Sequence, residues 1–482
     1  MRCWVVGLTI FTATFLALFA LTSLTKPPFR LNRKVIAKLP YAPSNLLITD
    51  LDSDGHPEIL AEADGETPVW SRSPFGEPST VHVKGCSVVW TTLWVAIAPN
   101  IPIRAVPVWV GKKLRLLRWQ NGKVVFEPLP PLPDEAFDHA SLEGGWTGKV
   151  FLAAYLGENA WVFVLTEKGD WKFAGKFTSA GFREPVIDDL ADLDKDGKLD
   201  AICTPWSPEW ACVVWGNGKG ESELGEWSSH GSPLVSDLNG DGWDEIAMVA
   251  PKPQPHLQIW RFAPKQGKLR VIAKSPPLGL AAHDFFWQLF DLDKDRLREI
   301  VVWNYGHQRW LVFKFEGGNL KMWQGAAEGT HFPPETIRIG RHDFLVTEKA
   351  KQVILFPPLI WIDKDFKLRW ELEKWMDCAV FWELPEGKDA LMPSKWKKYE
   401  ATFDFLFAAD IDGGGKDEVI GRDARGRVRL YWFRKTKSGE LRWQSWLLDR
   451  RYPQTLVLIQ DGGRRGLCVG WDDGTVELLT VQ

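Results

Sequence analysis

Short apolar runs recur along the whole chain. Ile59-Leu60, Ala201-Ile202, Ile246-Ala247-Met248, Ile300-Val301-Val302 and Val419-Ile420 each follow directly on an acidic stretch. In the central part the order around each acidic stretch is constant. One strand runs in, a second runs out, and two more are joined by a Gly turn. Leu234-Val235, Ile246 to Val249, Leu257-Gln258-Ile259-Trp260 and Leu269-Arg270-Val271-Ile272 make one such set. Runs of this length, bounded by Gly and Asn, predict strands rather than helices. No long amphipathic helical pattern appears, so the class is all-β.

The same rhythm continues without acidic stretches. Ser87-Val88-Val89-Trp90, the run 104–110 and Lys113 to Trp119 lead into a turn at Asn121-Gly122 and then Lys123-Val124-Val125-Phe126. Asn-Gly between apolar runs is a strong hairpin signal, because both residues tolerate the left-handed backbone of the turn. Lys149 to Ala154, Ala160 to Leu165 and Trp171-Lys172-Phe173 form another set. The acidic stretches start at 50, 192, 237, 291 and 410; the closest of them set a period of about 50 residues. The wider gaps then hold unmarked units near Ile101, Gly145 and Arg341, the last of them, 341–400, oversized. Asp363-Lys364-Asp365 reads as an ordinary turn. The chain closes with three strands, Thr455 to Leu458, Leu467 to Trp471 and Thr475 to Leu479. The unpartnered run at 29–37 can supply their fourth. Four-stranded units at this period predict a β-propeller of seven to nine blades, nine units being counted. Its ring would be closed by the N-terminal strand, which removes both sheet edges.

The acidic stretches carry the candidate chemistry. Asp237, Asn239, Asp241 and Glu245 stand at positions one, three, five and nine, with Gly242 at six. Asp50, Asp52, Asp54 and Glu58 repeat this around Gly55, and Asp192, Asp194, Asp196 and Asp200 around Gly197. Asp291, Asp293, Asp295 and Glu299 do so with Arg296 at six. Asp410, Asp412 and Glu418 do so with Gly414 at five and Gly415 at six. Alternating oxygens on a tight turn suit Ca²⁺, a hard cation that takes six to eight oxygen ligands. The backbone carbonyl at position seven (His56, Lys198, Trp243) would add one more. An EF-hand needs a bidentate Glu at position twelve and flanking helices. Position twelve here is Ala61, Cys203, Met248, Val302 or Gly421, which excludes it. Plain Asx turns are the simpler alternative, but they do not require a carboxylate at position nine.

These loops resemble FG-GAP/VCBS repeats of the integrin-α-like β-propeller family. The resemblance implies structural Ca²⁺ on the matching residues named above. Family propellers usually have seven longer blades, and the Phe-Gly/Gly-Ala-Pro signature is not visible here, so the VCBS-like variant is closer.

Composition alters this picture in two places. Among 482 residues there are 28 Trp, too many for packing alone to be the only reading. Trp119, Trp215, Trp260 and Trp432 end third strands and read as packing between blades. Trp146, Trp206, Trp210 and Trp287 fall outside that register and are candidates for an exposed, sugar-stacking face. The other is the N-terminus. Arg2 precedes an apolar run from Trp4 to about Leu24, broken by Lys26-Pro27-Pro28. Residues 1–25 therefore read as a signal peptide or a retained signal anchor helix, and residues 26–482 as a single propeller domain. Location would then be extracytoplasmic, secreted or membrane-anchored, where millimolar Ca²⁺ can fill weak sites.

A net charge of -3 offers no general attraction for nucleic acid. The cysteines beyond the leader are Cys86, Cys203, Cys212, Cys378 and Cys468, an odd number without metal spacing; Cys203 and Cys212 could face each other across a hairpin. No Gly-x-Ser-x-Gly, His-Glu-x-x-His or phosphate-cradling loop is present, and no catalytic residue is assigned. His283-Asp284 and His342-Asp343 are adjacent in sequence only. The expectation is a monomeric, Ca²⁺-binding adhesion or binding scaffold for a protein or glycan. The alternative is a propeller-fold polysaccharide lyase or glycoside hydrolase with its site at the central funnel.

Overall fold

The computed structural model describes residues 30–63, 68–72, 74–77, 79–89, 103–145, 147–178, 185–205, 210–226, 232–252, 254–279, 285–304, 309–326, 335–339, 342–362, 368–435 and 441–481. These residues fold into nine four-stranded antiparallel sheets. Eight are consecutive meanders, over 43–82, 87–127, 139–178, 185–226, 234–274, 285–326, 335–400 and 403–449. We call them blades one to eight. Blade nine combines Pro453–Asp461, Arg464–Trp471 and Thr475–Val481 with the N-terminal strand Leu31–Lys38. That strand pairs antiparallel with Thr475–Val481, Leu31 opposite Val481 and Lys38 opposite Thr475. The molecule is a nine-bladed β-propeller, and the only helices among the described residues are two 3-10 turns, Gly387–Leu391 and Pro393–Lys395. None of the described helices is long and apolar enough to cross a membrane, and residues 1–25 lie outside the described residues.

The core is continuous from sheet to sheet. Ile246, Ala247 and Ile259 of blade five share a buried cluster with Ile202 and Val213 of blade four and with Ile300 and Val302 of blade six. Val457 and Leu478 of blade nine pack in one cluster with Ile59 and Ala61 of blade one. The inner strands are apolar on both faces because each sheet is covered by its neighbours on both sides. Glu245–Ala250 is buried throughout. Trp119 packs on Trp70 of the preceding blade, with ring centroids 4.9 Å apart, and Trp215 on Phe262 of the following one at 5.4 Å. Trp287, expected on an exposed face, is 5% exposed and donates to the Ser232 carbonyl. Its position on the first strand of blade six puts it inside the wheel, so the exposed-face expectation is corrected there. Trp146 and Trp206 lie outside the described residues, as does the Asp363-Lys364-Asp365 turn.

Blade seven is the oversized unit. Its central hairpin, His342–Ile362 with Leu368–Glu383, runs well past the strands beside it. The first strand of the blade reaches only to Val346, and the fourth only to Val380. The rest of the hairpin projects as a two-stranded ribbon within its sheet, and Trp375 on it is 67% exposed. At Asn121-Gly122 both residues have positive φ, 51° and 75°, as a two-residue type I′ hairpin requires. Cys203 and Cys212 face each other directly, and both are buried free thiols.

Candidate metal centres

Five loops join the first and second strands of blades one, four, five, six and eight. Each begins one residue after its first strand and ends on the first residue of the second. Thr49 lies opposite Glu58, Ala191 opposite Asp200, Ser236 opposite Glu245, Phe290 opposite Glu299 and Ala409 opposite Glu418. The strand register therefore brings position nine back beside position one.

The loops share one internal hydrogen-bond scheme. The position-one carboxylate accepts the amide of position six: Gly55 on Asp50 (3.3 Å), Gly197 on Asp192 (3.1 Å), Gly242 on Asp237 (2.8 Å), Arg296 on Asp291 (3.2 Å) and Gly415 on Asp410 (3.0 Å). The position-three oxygen accepts the amide of position five: Asp54 on Asp52, Asp196 on Asp194, Asp241 on Asn239, Asp295 on Asp293 and Gly414 on Asp412. The amides of His56, Lys198 and Trp243 donate to Asp54, Asp196 and Asp241. The His56 ring leaves the loop for Asp461, at 3.0 Å. Position nine accepts the amide of position two, between 2.9 and 3.0 Å in all five loops.

Two features of the loops went unread in the sequence. Position two is apolar in every copy: Leu51, Leu193, Leu238, Leu292 and Ile411 are each at most 5% exposed. These side chains plug the loop into the core, and the regular Leu/Ile was a visible signal. Position four, like position six, has positive φ. Ser53, Lys195 and Lys294 stand there at 58° to 63°, and Gly240 and Gly413 at 77° and 75°. Arg296 keeps the φ of the glycine it replaces, at 75°, so the turn survives without Gly at some conformational cost.

Carboxylate oxygens converge within 4.8 Å of one another in four loops: Asp50, Asp52 and Asp54; Asp192, Asp194 and Asp200; Asp291, Asp293 and Asp295; Asp410, Asp412 and Glu418. Position nine is the buried member. Burial pushes Glu58 and Glu418 up to about 8, Glu245 and Glu299 to about 7 and Asp200 to about 6, with neighbouring loop acids adding to the rise.

The loops differ in what faces them. On the third strand of each blade, one residue beyond the partner of position ten, stand Arg72, Trp215, Arg261, Lys314 and Trp432. The cations turn into their own loops. Arg72 reaches Asp52 at 2.6 Å, helped by Arg104 on Asp50 at 3.3 Å. Arg261 reaches Asp241 at 2.7 Å, while Asn239 donates its amide to Glu245 at 3.0 Å. Lys314 reaches Asp293, Asp295 and Glu299 together. Burial works against its charge, but these three carboxylates outweigh that and raise its pKa. Trp215 and Trp432 instead bind Ser222 and Gln444. In these two blades position one keeps a buried oxygen without a partner, Oδ1 of Asp192 and Oδ1 of Asp410. The cations that do reach these loops come from elsewhere: Lys219, 63% exposed, on Asp194, and Arg465 of blade nine on Asp410. The donor sets at 192–200 and 410–418 thus fit a hard cation best. At 50–58 and 237–245 a guanidinium shares the acids, and at 291–299 an ammonium already stands among them.

No protein-family profile matches the chain, and no curated protein matches it. Solved structures that resemble it are propellers at low similarity. The C-terminal WD40 domain of Sif2 is 12% identical, with TM-score 0.41 over 93% of this chain and 98% of that one. Sqt1 of Saccharomyces cerevisiae is 11% identical, with TM-score 0.39 over 80% and 94%. An Agrocybe aegerita lectin that recognises non-reducing terminal N-acetylglucosamine is 14% identical, with TM-score 0.35 over 91% and 99%. At these scores the likenesses carry no argument about function, and the fold stands on the strand pairing of this chain.

Proposed function

We propose that the chain is an exported, Ca²⁺-stabilised propeller of the FG-GAP/VCBS kind that presents its surface to a protein or glycan partner. The observation that carries the metal is the pair of buried, unpartnered Oδ1 atoms on Asp192 and Asp410, each inside a ring of carboxylates. A buried acceptor left alone is costly, and a divalent ion satisfies it while neutralising its neighbours. The metal role is structural: it clamps the first and second strands of a blade. The N-terminal strand, by joining blade nine, would close the ring. Export rests on the apolar run 4–24 and on the millimolar Ca²⁺ outside the cytoplasm. Docking is supported by the projecting hairpin of blade seven with its exposed Trp375.

The test is retention of glycans and extracellular proteins on the immobilised chain, with Ca²⁺ or with chelator. The reading expects retention that falls with Trp375→Ala. Cleavage of a polysaccharide in the same panel would instead support a propeller-fold lyase or hydrolase.

A further inference from the structure

We infer that the ammonium of Lys314 permanently occupies the place of a divalent ion in the loop 291–299, so that this loop is an internally neutralised, metal-free copy of its neighbours. The geometry is that of a cation among its ligands. Nζ of Lys314 lies 2.8 Å from Asp293 Oδ2, 2.6 Å from Asp295 Oδ2 and 2.8 Å from Glu299 Oε1. Those are positions three, five and nine of the loop, three of the residues that would bind a metal. The side chain of Lys314 is 7% exposed, and those of Asp293 and Glu299 are 4% and 0% exposed. An ammonium has three donors, and here each meets one carboxylate, so its hydrogen-bonding capacity is met inside the cage.

The placement follows from register. Phe313 opposes Ile300 at position ten of the loop, which puts Lys314 alongside position nine. Arg72 and Arg261 occupy the same register position in blades one and five, but a guanidinium is broad and planar and each engages the rim of its loop. Only the slim, flexible Lys stem delivers a compact charge to the centre. Trp215 and Trp432 stand at this position in blades four and eight, and there the position-one oxygens are unpartnered. One residue of the third strand thereby decides whether a loop needs a metal. Loop 291–299 also lacks the position-six Gly, with Arg296 in its place, in keeping with a loop that no longer closes on an ion.

The experiment uses the whole chain and Ca²⁺ alone, and it does not require that the other loops bind metal. Bound Ca²⁺ per chain is counted by equilibrium dialysis for wild type, Lys314→Ala and Asp293→Asn. Lys314→Ala is expected to bind one more ion than wild type, and the added ion should vanish in Lys314→Ala/Asp293→Asn. Asp293→Asn in the wild-type background should leave the count unchanged. Loss of one ion in Asp293→Asn, or no gain in a folded Lys314→Ala, would overturn the inference. Should Lys314→Ala not fold, hydrogen exchange on the wild-type chain decides. Protection of 291–299 must be indifferent to Ca²⁺ and chelator; a rise on adding Ca²⁺ refutes it. A wild-type chain that binds no Ca²⁺ would defeat the metal part of the proposed function while leaving this outcome readable.

Discussion

A single side chain can be read in this molecule by what it does to its loop or its core. Leu238, 1% exposed, anchors the loop 237–245 between blades. Leu238→Ala should cost about 2–4 kcal/mol, the usual range for a truncated core leucine, as measured by denaturant unfolding. A loss below about 1 kcal/mol would show that the position-two plug is not structural. Glu348 gives a pH signature away from the acidic loops. It is 9% exposed, and burial, then the carboxylate of Asp404, push it up to about 8. The folded chain thus holds a proton that the unfolded chain releases near its ordinary value of 4.5. Stability contributed by this proton is present at low pH and is lost as pH rises through about 8. Glu348→Gln mimics the protonated form. Its melting temperature should exceed wild type at pH 8, by an amount on the order of 1 kcal/mol in stability, and converge with it by pH 5. Equal melting curves at both pH values would sink this reading.

The N-terminal strand Leu31–Lys38 is an element held by more than its ladder. Arg33 bridges Asp449 at the end of blade eight and Glu477 in blade nine, both at 2.5 Å. Arg451 binds the same two carboxylates at 2.8 and 2.9 Å, and Trp471 donates to Glu477. Burial alone would raise Asp449, but Arg451, Arg33 and the amides of Arg450 and Arg451 outweigh it and hold it well below the ordinary carboxylate range. That stability is present at neutral pH and disappears only in strong acid. Arg33→Ala should cost about 1 kcal/mol, since the site is partly open to solvent, and should make the N-terminal strand the first site of proteolysis. Unchanged proteolysis would mean that the backbone ladder alone holds the strand. In the second blade, Gly122 has φ 75°, so Gly122→Ala should cost about 1 kcal/mol through backbone strain at the hairpin.

At the scale of the whole molecule, metal binding and folding are linked. A ligand that binds only the folded chain adds RT ln(1 + [L]/Kd), which for weak loop sites in millimolar Ca²⁺ amounts to about 1–3 kcal/mol for each site filled. Chelation should therefore lower the melting temperature. Asp192→Asn should shrink that drop, because it removes the position-one ligand of the best-fitting loop. A chelator-insensitive melt would count against metal in every loop. The wheel is built mostly from near-neighbour contacts, so loss of one clamp is expected to loosen its own and adjacent blades before the rest.

The chain's local order was enough to determine strand phase, the four-strand unit, the nine repeats and the five acidic loops. It also marked the Asn121-Gly122 hairpin and the run near residue 30 that lacked a neighbour. All of these rest on spacings within a few residues, where backbone sterics and alternating polarity act directly. The pairing of that run with Thr475–Val481 could be anticipated only because one unit was a strand short. What faces each loop was decided by tertiary structure alone. Lys314 is separated from Glu299 by a whole hairpin, and only antiparallel register sets it among the acids of its loop. The same register puts Trp215 and Trp432 where a cation could have stood. Trp287 looked free because its sequence position breaks the third-strand pattern, yet the curvature of the wheel turns the first strand of blade six inward and buries it. Charge balance at a site depends on distances through space, and those distances come from the register and packing of strands remote in the chain.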